Sequence, residues 1–463
     1  MKFLGKYRII APWERLFDKV ATPFERFIHQ QTTTGLVLMF MTIVALILAN
    51  SPFADGYADL FHTHIAISIG SFSLDYSIHH WINDGLMALF FFVIGLEIKR
   101  ESLSGGLSDP KNAILPILGA VGGVLVPALI YYSINKGLPG EHGWGIPMAT
   151  DIAFAVSALV LLGRRVPVAL VTFLVALAIV DDLVAVTVIA IFYTDQLHLV
   201  SLAMAFVVFG VLIAFNLFGI HRPLPYFIVG GIMWLFMLDS GVHATIAGIL
   251  TALAIPHKPK FNPVFFEEHI NNLKDKFKKF EIGQNHELHE EQKTLLHDMQ
   301  DSVRAVQAPL NRLEHEFHLP VSLIVIPLFA LANAGIAINF SEMGGMLLEP
   351  VALGIVLGLV FGKVIGIAGI AILAIKIGLA KMPENTNYSQ IIGVAFLGGI
   401  GFTMSIFIAE LAWLNSEIGP ELLLQAKTGI LVASLLAGII GFVWLRFIAK
   451  PTHSENEGLA TSK

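Results

Sequence analysis

Five ionisable residues stand inside long runs of apolar side chains: Asp84, Asp151, Asp181, Asp182 and Lys363. A charge at the centre of a membrane helix costs about 2.5–3.5 kcal/mol on insertion scales, and those that persist face a cavity, pair with one another or bind something. Asp181 and Asp182 lie in the middle of the apolar stretch from Val168 to Tyr193. Neighbouring helical positions point about 100° apart, so one carboxylate can face an aqueous cavity while the other meets a protein partner. Two adjacent carboxylates in a low dielectric also resist being ionised together, which suits a group that exchanges protons. Two acids merely tolerated at a helix end would not have apolar residues on both flanks.

The remaining candidates lie at interruptions. Asp151 follows Thr150 in Gly145-Ile-Pro-Met-Ala-Thr-Asp-Ile-Ala-Phe-Ala, where Gly, Pro and a Thr-Asp pair favour a broken helix or an N-cap. A break at membrane depth exposes backbone carbonyls, which is tolerated where they line a cavity. A second interruption is Leu397-Gly-Gly-Ile-Gly-Phe-Thr-Met-Ser405; close helix packing at small residues is its plainer explanation. Lys363 sits far from either end of its apolar run and needs a counter-charge, for which Asp151, Asp181 and Asp182 are available; snorkelling to the interface is the alternative. Carboxylates, backbone carbonyls and water are the ligands a hard monovalent cation such as sodium prefers.

The elements that must position these residues follow from composition. The chain has 463 residues, 55% of them hydrophobic and 14% charged, with a mean hydropathy of +0.73; soluble domains carry about 25% charged residues. The apolar runs match a hydrocarbon core of roughly 30 Å, so the expected fold is an all-α polytopic membrane protein. Twelve candidate spans cover roughly 33–50, 79–98, 113–134, 146–162, 168–193, 199–219, 224–238, 241–256, 319–338, 350–375, 389–414 and 424–447. Spans 3–5 and 10–12 would form two inverted three-helix repeats, each with a discontinuous middle helix. Of the 29 Lys and Arg residues, all but Lys136, Lys363 and Lys427 fall on one side of this arrangement, which makes that side cytoplasmic. The expected organisation is a cytoplasmic tail 1–32, spans 1–8 over 33–256, a cytoplasmic polar insertion 257–318, spans 9–12 over 319–447 and a cytoplasmic tail 448–463. No apolar signal-peptide core precedes Gly35, and residues from Ile9 to Phe27 have the spacing of a surface helix or a solvated basic tail.

Two loops stand out. His64 to Tyr76 alternates apolar and polar residues about a Gly-Ser turn and reads as an external β-hairpin, whose edge can pair with a second copy. The insertion 257–318 holds 7 of the 17 histidines; it is either a solvated helical segment or a pH-responsive one. A net charge of −6 points away from nucleic acid, and the absence of cysteine excludes disulfides, thiol chemistry and cysteine-ligated metals. No G-x-x-x-x-G-K-[ST] loop is present, so transport would be driven by an ion gradient, with no cofactor.

Several motifs, in order, resemble the NhaA family of bacterial sodium/proton antiporters, itself one of the examples behind the rule that paired helix breaks mark a transport site. They are Trp81-Ile-Asn-Asp-Gly-Leu-Met-Ala, Gly95-Leu-Glu-Ile-Lys-Arg-Glu, Ala149-Thr-Asp-Ile-Ala-Phe-Ala, Ala176-Leu-Ala-Ile-Val-Asp-Asp-Leu, Ser240-Gly-Val-His-Ala-Thr, Phe329-Ala-Leu-Ala-Asn-Ala-Gly, Gly362-Lys and Gly399-Ile-Gly-Phe-Thr-Met-Ser. The resemblance covers most of 80–256 and 320–446. It implies electrogenic, pH-regulated exchange of cytoplasmic Na+ or Li+ for external protons, two per cation, in the bacterial inner membrane. It also implies Asp182 as main cation ligand, Asp181 as partner of Lys363, and Thr150 and Asp151 as the broken helix's contribution. Asp84 would line an access funnel, Glu97 and Glu101 would belong to the pH-response region, and the hairpin would help hold a homodimer in the lipid. Three departures are Val184 where Gly is expected, Glu410 near the outer end of span 11, and the long insertion and N-terminal tail. The competing readings are a sodium-coupled symporter of an organic anion, for which Lys363 alone offers a cationic contact, an intramembrane aspartyl protease, whose Gly-x-Gly-Asp context is missing, and a non-transporting cation sensor.

Overall fold

Prolines and glycines decide where the apolar runs become helices and where they stop. A computed structural model describes residues 31–449, apart from 71, 195–196, 279–287, 338–340, 342 and 414–417. The expected tail helix between Ile9 and Phe27 and all but the first residues of the C-terminal tail therefore lie outside the described residues. Helix α1 (Gln31–Ala49) ends at Asn50-Ser51-Pro52, and α2 (Ala54–His62) leaves it at 113°. Strands β1 (His64–Ile69) and β2 (Phe72–Ser77) follow as an antiparallel hairpin, with Ile65 opposite Tyr76 and Ile67 opposite Leu74. The alternation read over 64–76 is thus the two faces of this hairpin.

Eight further segments build the bundle up to the polar insertion: α3 (Ile78–Leu103), α4 (Pro110–Asn135), a 3₁₀ stretch (Pro139–Met148) leading into α5 (Ile152–Val160), then α6 (Val168–Phe192), α7 (Leu199–Leu217), α8 (Pro223–Ser240) and α9 (Ile246–Ala254). Pro110, Pro223, Pro309 and Pro350 each stand in a first helical turn, where a missing N–H breaks no helical bond. The insertion contains two amphipathic helices, α10 (Phe266–Lys278) and α11 (Glu290–Val306), packed on each other. The chain then re-enters the bundle as α12 (Pro309–Asn333), α13 (Pro350–Lys376), α14 (Tyr388–Leu397), α15 (Phe402–Ala412) and α16 (Gly419–Ile448).

Among the described residues nine helices are long and apolar enough to cross a membrane, or up to eleven if each of two bent pairs is one span. The protein is therefore all-α and polytopic, with one small sheet. Two expected spans differ in detail. Span 241–256 appears only as α9, nine residues long, about half the length needed at roughly 1.5 Å per residue. The reason is local: Gly241 takes a left-handed φ of +80° that terminates α8, and the turn to Thr245 uses up the rest. The expected start of span 9 at 319 lies inside a helix that begins at Pro309, because Leu310 and Leu313 are buried and extend the apolar stripe beneath the charged residues.

Segments α4–α6 and α13–α16 repeat one order: a long helix, a broken helix, a long helix. Helices α4 and α13 touch backbone to backbone, since a Cβ on Gly122 would lie 2.2 Å from the Gly366 carbonyl oxygen. Larger residues at either position would push α13, and Lys363 with it, away from α6. Helix α7 turns Val200, Phe206, Val207 and Leu217 outward, where lipid replaces protein.

Candidate functional site

The two broken helices meet at their breaks. Thr150 Oγ1 donates to the Gly398 carbonyl at 2.8 Å, and the Asp151 N–H donates to the Ile400 carbonyl at 2.7 Å. In return Thr403 donates to Asp151 Oδ2 through its N–H at 3.2 Å and its hydroxyl at 2.5 Å. Asp151 Oδ1 caps α5 by accepting from the Phe154 N–H at 3.1 Å. Ser405 Oγ donates to the Ile146 carbonyl at 2.8 Å, and the Phe402 N–H to Ser434 Oγ at 3.1 Å. Both oxygens of Asp151 are therefore engaged, Oδ2 across the crossing and Oδ1 at the start of its own helix. This network satisfies backbone groups that have no water at that depth.

Glycine is required at the crossing for closeness. A Cβ on Gly399 would stand 2.3 Å from the Leu359 carbonyl oxygen, and one on Gly401 would stand 2.2 Å from Ser405 Oγ. Gly399→Ala forces α14–α15 away from α13, and a displacement of about 1 Å can lower a rate about a hundredfold. The expected outcome is inserted, folded protein whose turnover is reduced on that scale; an unimpaired rate would show that the crossing tolerates the shift.

The charged residues lie against the crossing. Lys363 is fully buried on α13 between two wide i→i+5 turns, Gly358–Gly362 and Ile365–Gly369, a helix irregularity often found at functional sites. Its Nζ donates to Asp181 Oδ2 at 2.7 Å, to Thr150 Oγ1 at 3.0 Å and to the Met148 carbonyl. Asp181 is fully buried and Asp182 is 2% exposed, both near the midpoint of α6. Asp181 Oδ1 and Asp182 Oδ1 are both buried with no hydrogen-bond partner among the described residues. Thr150, Asp151, Asp181, Asp182 and Lys363, expected together, are thus brought together. Among the described residues no three His, Asp or Glu side chains are grouped as a metal cage.

The other three candidates sit elsewhere on α3. Asp84 lies in the wide turn Trp81–Leu86, with Oδ2 3.3 Å from His80 Nδ1 and Oδ1 3.5 Å from His243 Nε2. Glu97 is about 20 Å further along the helix; it lines a cavity of about 130 Å³ with Thr34, Ile152, Ser157 and His318, reaching the residue after Asp151. Glu101 pairs with Arg100 at 2.6 Å, and Arg100 Nε lies 2.8 Å from one Glu314 oxygen and 2.9 Å from the other. Beside this end, His257 is pushed below the usual imidazole range by burial and then by Lys99 and Lys258.

Sequence reasoning did not single out Thr403 or Ser405 as site residues, although both stood in the quoted Gly399–Ser405 motif. Glu314, the partner of Arg100, and Lys427, which lies 2.6 Å from Glu410, were also missed. An acid in one apolar run and a lysine at the mouth of the next are a detectable signal for the latter pair.

Residues 25–445 match a family model described as Na+/H+ antiporter 1. A protein of Sulfurimonas denitrificans named Na(+)/H(+) antiporter NhaA is 63% identical over 443 residues, covering 96% of this chain and 99% of that protein. One of Saccharophagus degradans, named Na(+)/H(+) antiporter NhaA 1, is 50% identical over 434 residues, 94% of this chain and 93% of its own. The Na(+)/H(+) antiporter NhaA of Dichelobacter nodosus is 44% identical and covers 96% of each chain.

Proposed function

Because the chain belongs to the Na+/H+ antiporter family of multi-pass membrane transporters, which are not enzymes and move ions without a cofactor, we propose that its exchange takes place at Asp181, Asp182 and Lys363. Cytoplasmic Na+ or Li+ enters from the Glu97 end of the bundle and binds Asp182, with oxygens of the Thr150/Asp151 break completing its shell. Its arrival displaces protons from the carboxylates and disturbs the Lys363–Asp181 pair. The two halves then rock about the crossed breaks, the ion leaves outside, and external protons take its place. The observation that carries this reading is the fully buried Lys363–Asp181 pair beside a second buried acid, Asp182, for which no cationic partner is found among the described residues. A buried, incompletely satisfied acid next to a compensated one is a site prepared for a cation or a proton but not for neither.

Two protons inward per cation would move one net charge, and a potential of 100 mV contributes about 2.3 kcal/mol per charge. That lets sodium be expelled even when the cytoplasm is the more acidic side. The sidedness proposed has both termini in the cytoplasm of a bacterial inner membrane, supported by the charge asymmetry. The Glu97 and Arg100–Glu101–Glu314 groups then line the cytoplasmic mouth, where they are placed to respond to cytoplasmic pH. A second copy would pair along the hairpin edge at His64–Tyr76.

The test is flux in everted vesicles from a host without antiporters of its own. After the lumen is acidified, added Na+ or Li+ should release protons, reported by a pH-sensitive dye, increasingly toward alkaline pH; K+ should not. Because protons and Na+ compete, acidification should raise the KM for Na+ by about tenfold per pH unit for each proton displaced, with the rate at saturating Na+ maintained. A KM independent of pH would reject shared carboxylates.

A further inference from the structure

Glu410 has no role in the transport site, yet it is an acid 9% exposed within the membrane helix α15. Lys427 of α16 meets its Oε1 at 2.6 Å, and the two side chains are 10% and 12% exposed. Both helices belong to the second repeat. The same oxygen faces His79 of α3 at 4.0 Å, across the boundary to the helices outside the repeats. On that far side His79 Nε2 bonds Asn333 Oδ1 of α12 at 2.9 Å, and Asn333 Nδ2 donates to Asn83 Oδ1 at 2.9 Å. The imidazole is therefore held in place by α3 and α12 while it faces a carboxylate held by the second repeat. The other titratable groups that face His79 are His62 of α2, its neighbour His80, Glu410 and Lys427.

Directly beneath lies an aromatic layer joining the same helices. Phe407, one turn below Glu410, packs on Phe91 of α3 at 5.4 Å between ring centroids, on Phe329 of α12 at 6.1 Å and on His243 at 5.3 Å. Asn333 beside this layer is fully buried, and the Glu97 end of the bundle holds a cavity. A buried ion pair is seldom more stable than apolar residues of the same shape, and its best-attested use is to specify one arrangement over another.

We propose that Glu410, Lys427 and His79 form an outer latch over the Phe407 plug, closing the external path until the second repeat moves away from α3 and α12. The proposal rests on the sidedness above. These residues position the second repeat against α3 and α12 and do not touch the ion.

The chain has no cysteine, so a single introduced thiol reports accessibility directly. Ala330→Cys places it one turn below Asn333, at the depth of the plug. In right-side-out membranes an impermeant maleimide should label it slowly. With His79→Gln, which leaves the Glu410–Lys427 pair intact, labelling should become about tenfold faster, the population shift expected from losing one contact of the closed state. The KM for cytoplasmic Na+ should stay the same while the maximal rate changes. The double variant Glu410→Gln/Lys427→Gln should label faster as well. Unchanged labelling in His79→Gln would overturn the latch and leave the cluster a packing feature. Asp59→Cys, on the exposed α2 at the same end, checks orientation: labelling only in everted vesicles would refute the sidedness, and with it an external latch.

Discussion

Asp182→Asn is expected to abolish Na+- and Li+-driven proton release while the protein still folds and inserts. The amide keeps the size and planarity of the carboxylate, so packing around α6 is preserved. It removes the charge that attracts a cation and the exchangeable proton that the cation displaces. Asp182 is 2% exposed and its Oδ1 has no partner among the described residues; the amide adds two N–H donors there, a smaller burden than the charge it removes. An uncharged group there is easier to bury than a carboxylate, so the variant should melt at or above the parent temperature. The measurement is dye-reported flux together with the melting temperature of purified protein. Flux at the parent's rate would reject Asp182 as the ion's ligand, and loss of the folded protein would show that its role is structural.

Lys363→Gln should behave in the opposite way, with a large fall in stability. It breaks a fully buried pair and leaves Asp181 charged or newly protonated among apolar neighbours. Removing one partner of such a pair costs about 3–5 kcal/mol, whereas replacing both is often close to neutral. The double variant Asp181→Asn/Lys363→Gln should therefore recover most of the melting temperature lost in the single one, and a double-mutant cycle isolates the coupling. Lys363 also donates to the Met148 carbonyl and to Thr150 Oγ1. Its loss removes the positive charge facing the carbonyl end of the break, and ion exchange should weaken in both variants. Equal melting temperatures for Lys363→Gln and the parent would show that the pair contributes nothing to stability.

The acids and the lysine stood out in the sequence because a charge in an apolar run is conspicuous, and Asp181 and Asp182 have apolar residues on both flanks in Val168–Tyr193. The breaks were legible for a related reason, since Gly145 and Pro147, and the glycines 398, 399 and 401, interrupt helical runs at membrane depth. The hairpin followed from its alternation and turn. The half-length α9 was harder to foresee, because an apolar run of sixteen residues from 241 to 256 has the composition of a span. What shortened it was one left-handed glycine and a turn, a choice made by local backbone conformation.

Composition and order alone therefore determined the membrane class, the number of apolar runs, the two interrupted helices and the identity of the central charges, because each depends on the free energy of one segment in lipid. Which partner each charge takes depends on which distant helices touch. Lys363 joins Asp181 and not Asp151, whose two oxygens are already taken by Thr403 and Phe154. Glu410 is neutralised by Lys427 and faces His79. The first pairing arises from the close approach of α4 to α13 at Gly122 and Gly366 and from the crossing of the two breaks, the contact to His79 from the packing of α15 on α3; these join residues hundreds of positions apart and only the packed tertiary structure creates them.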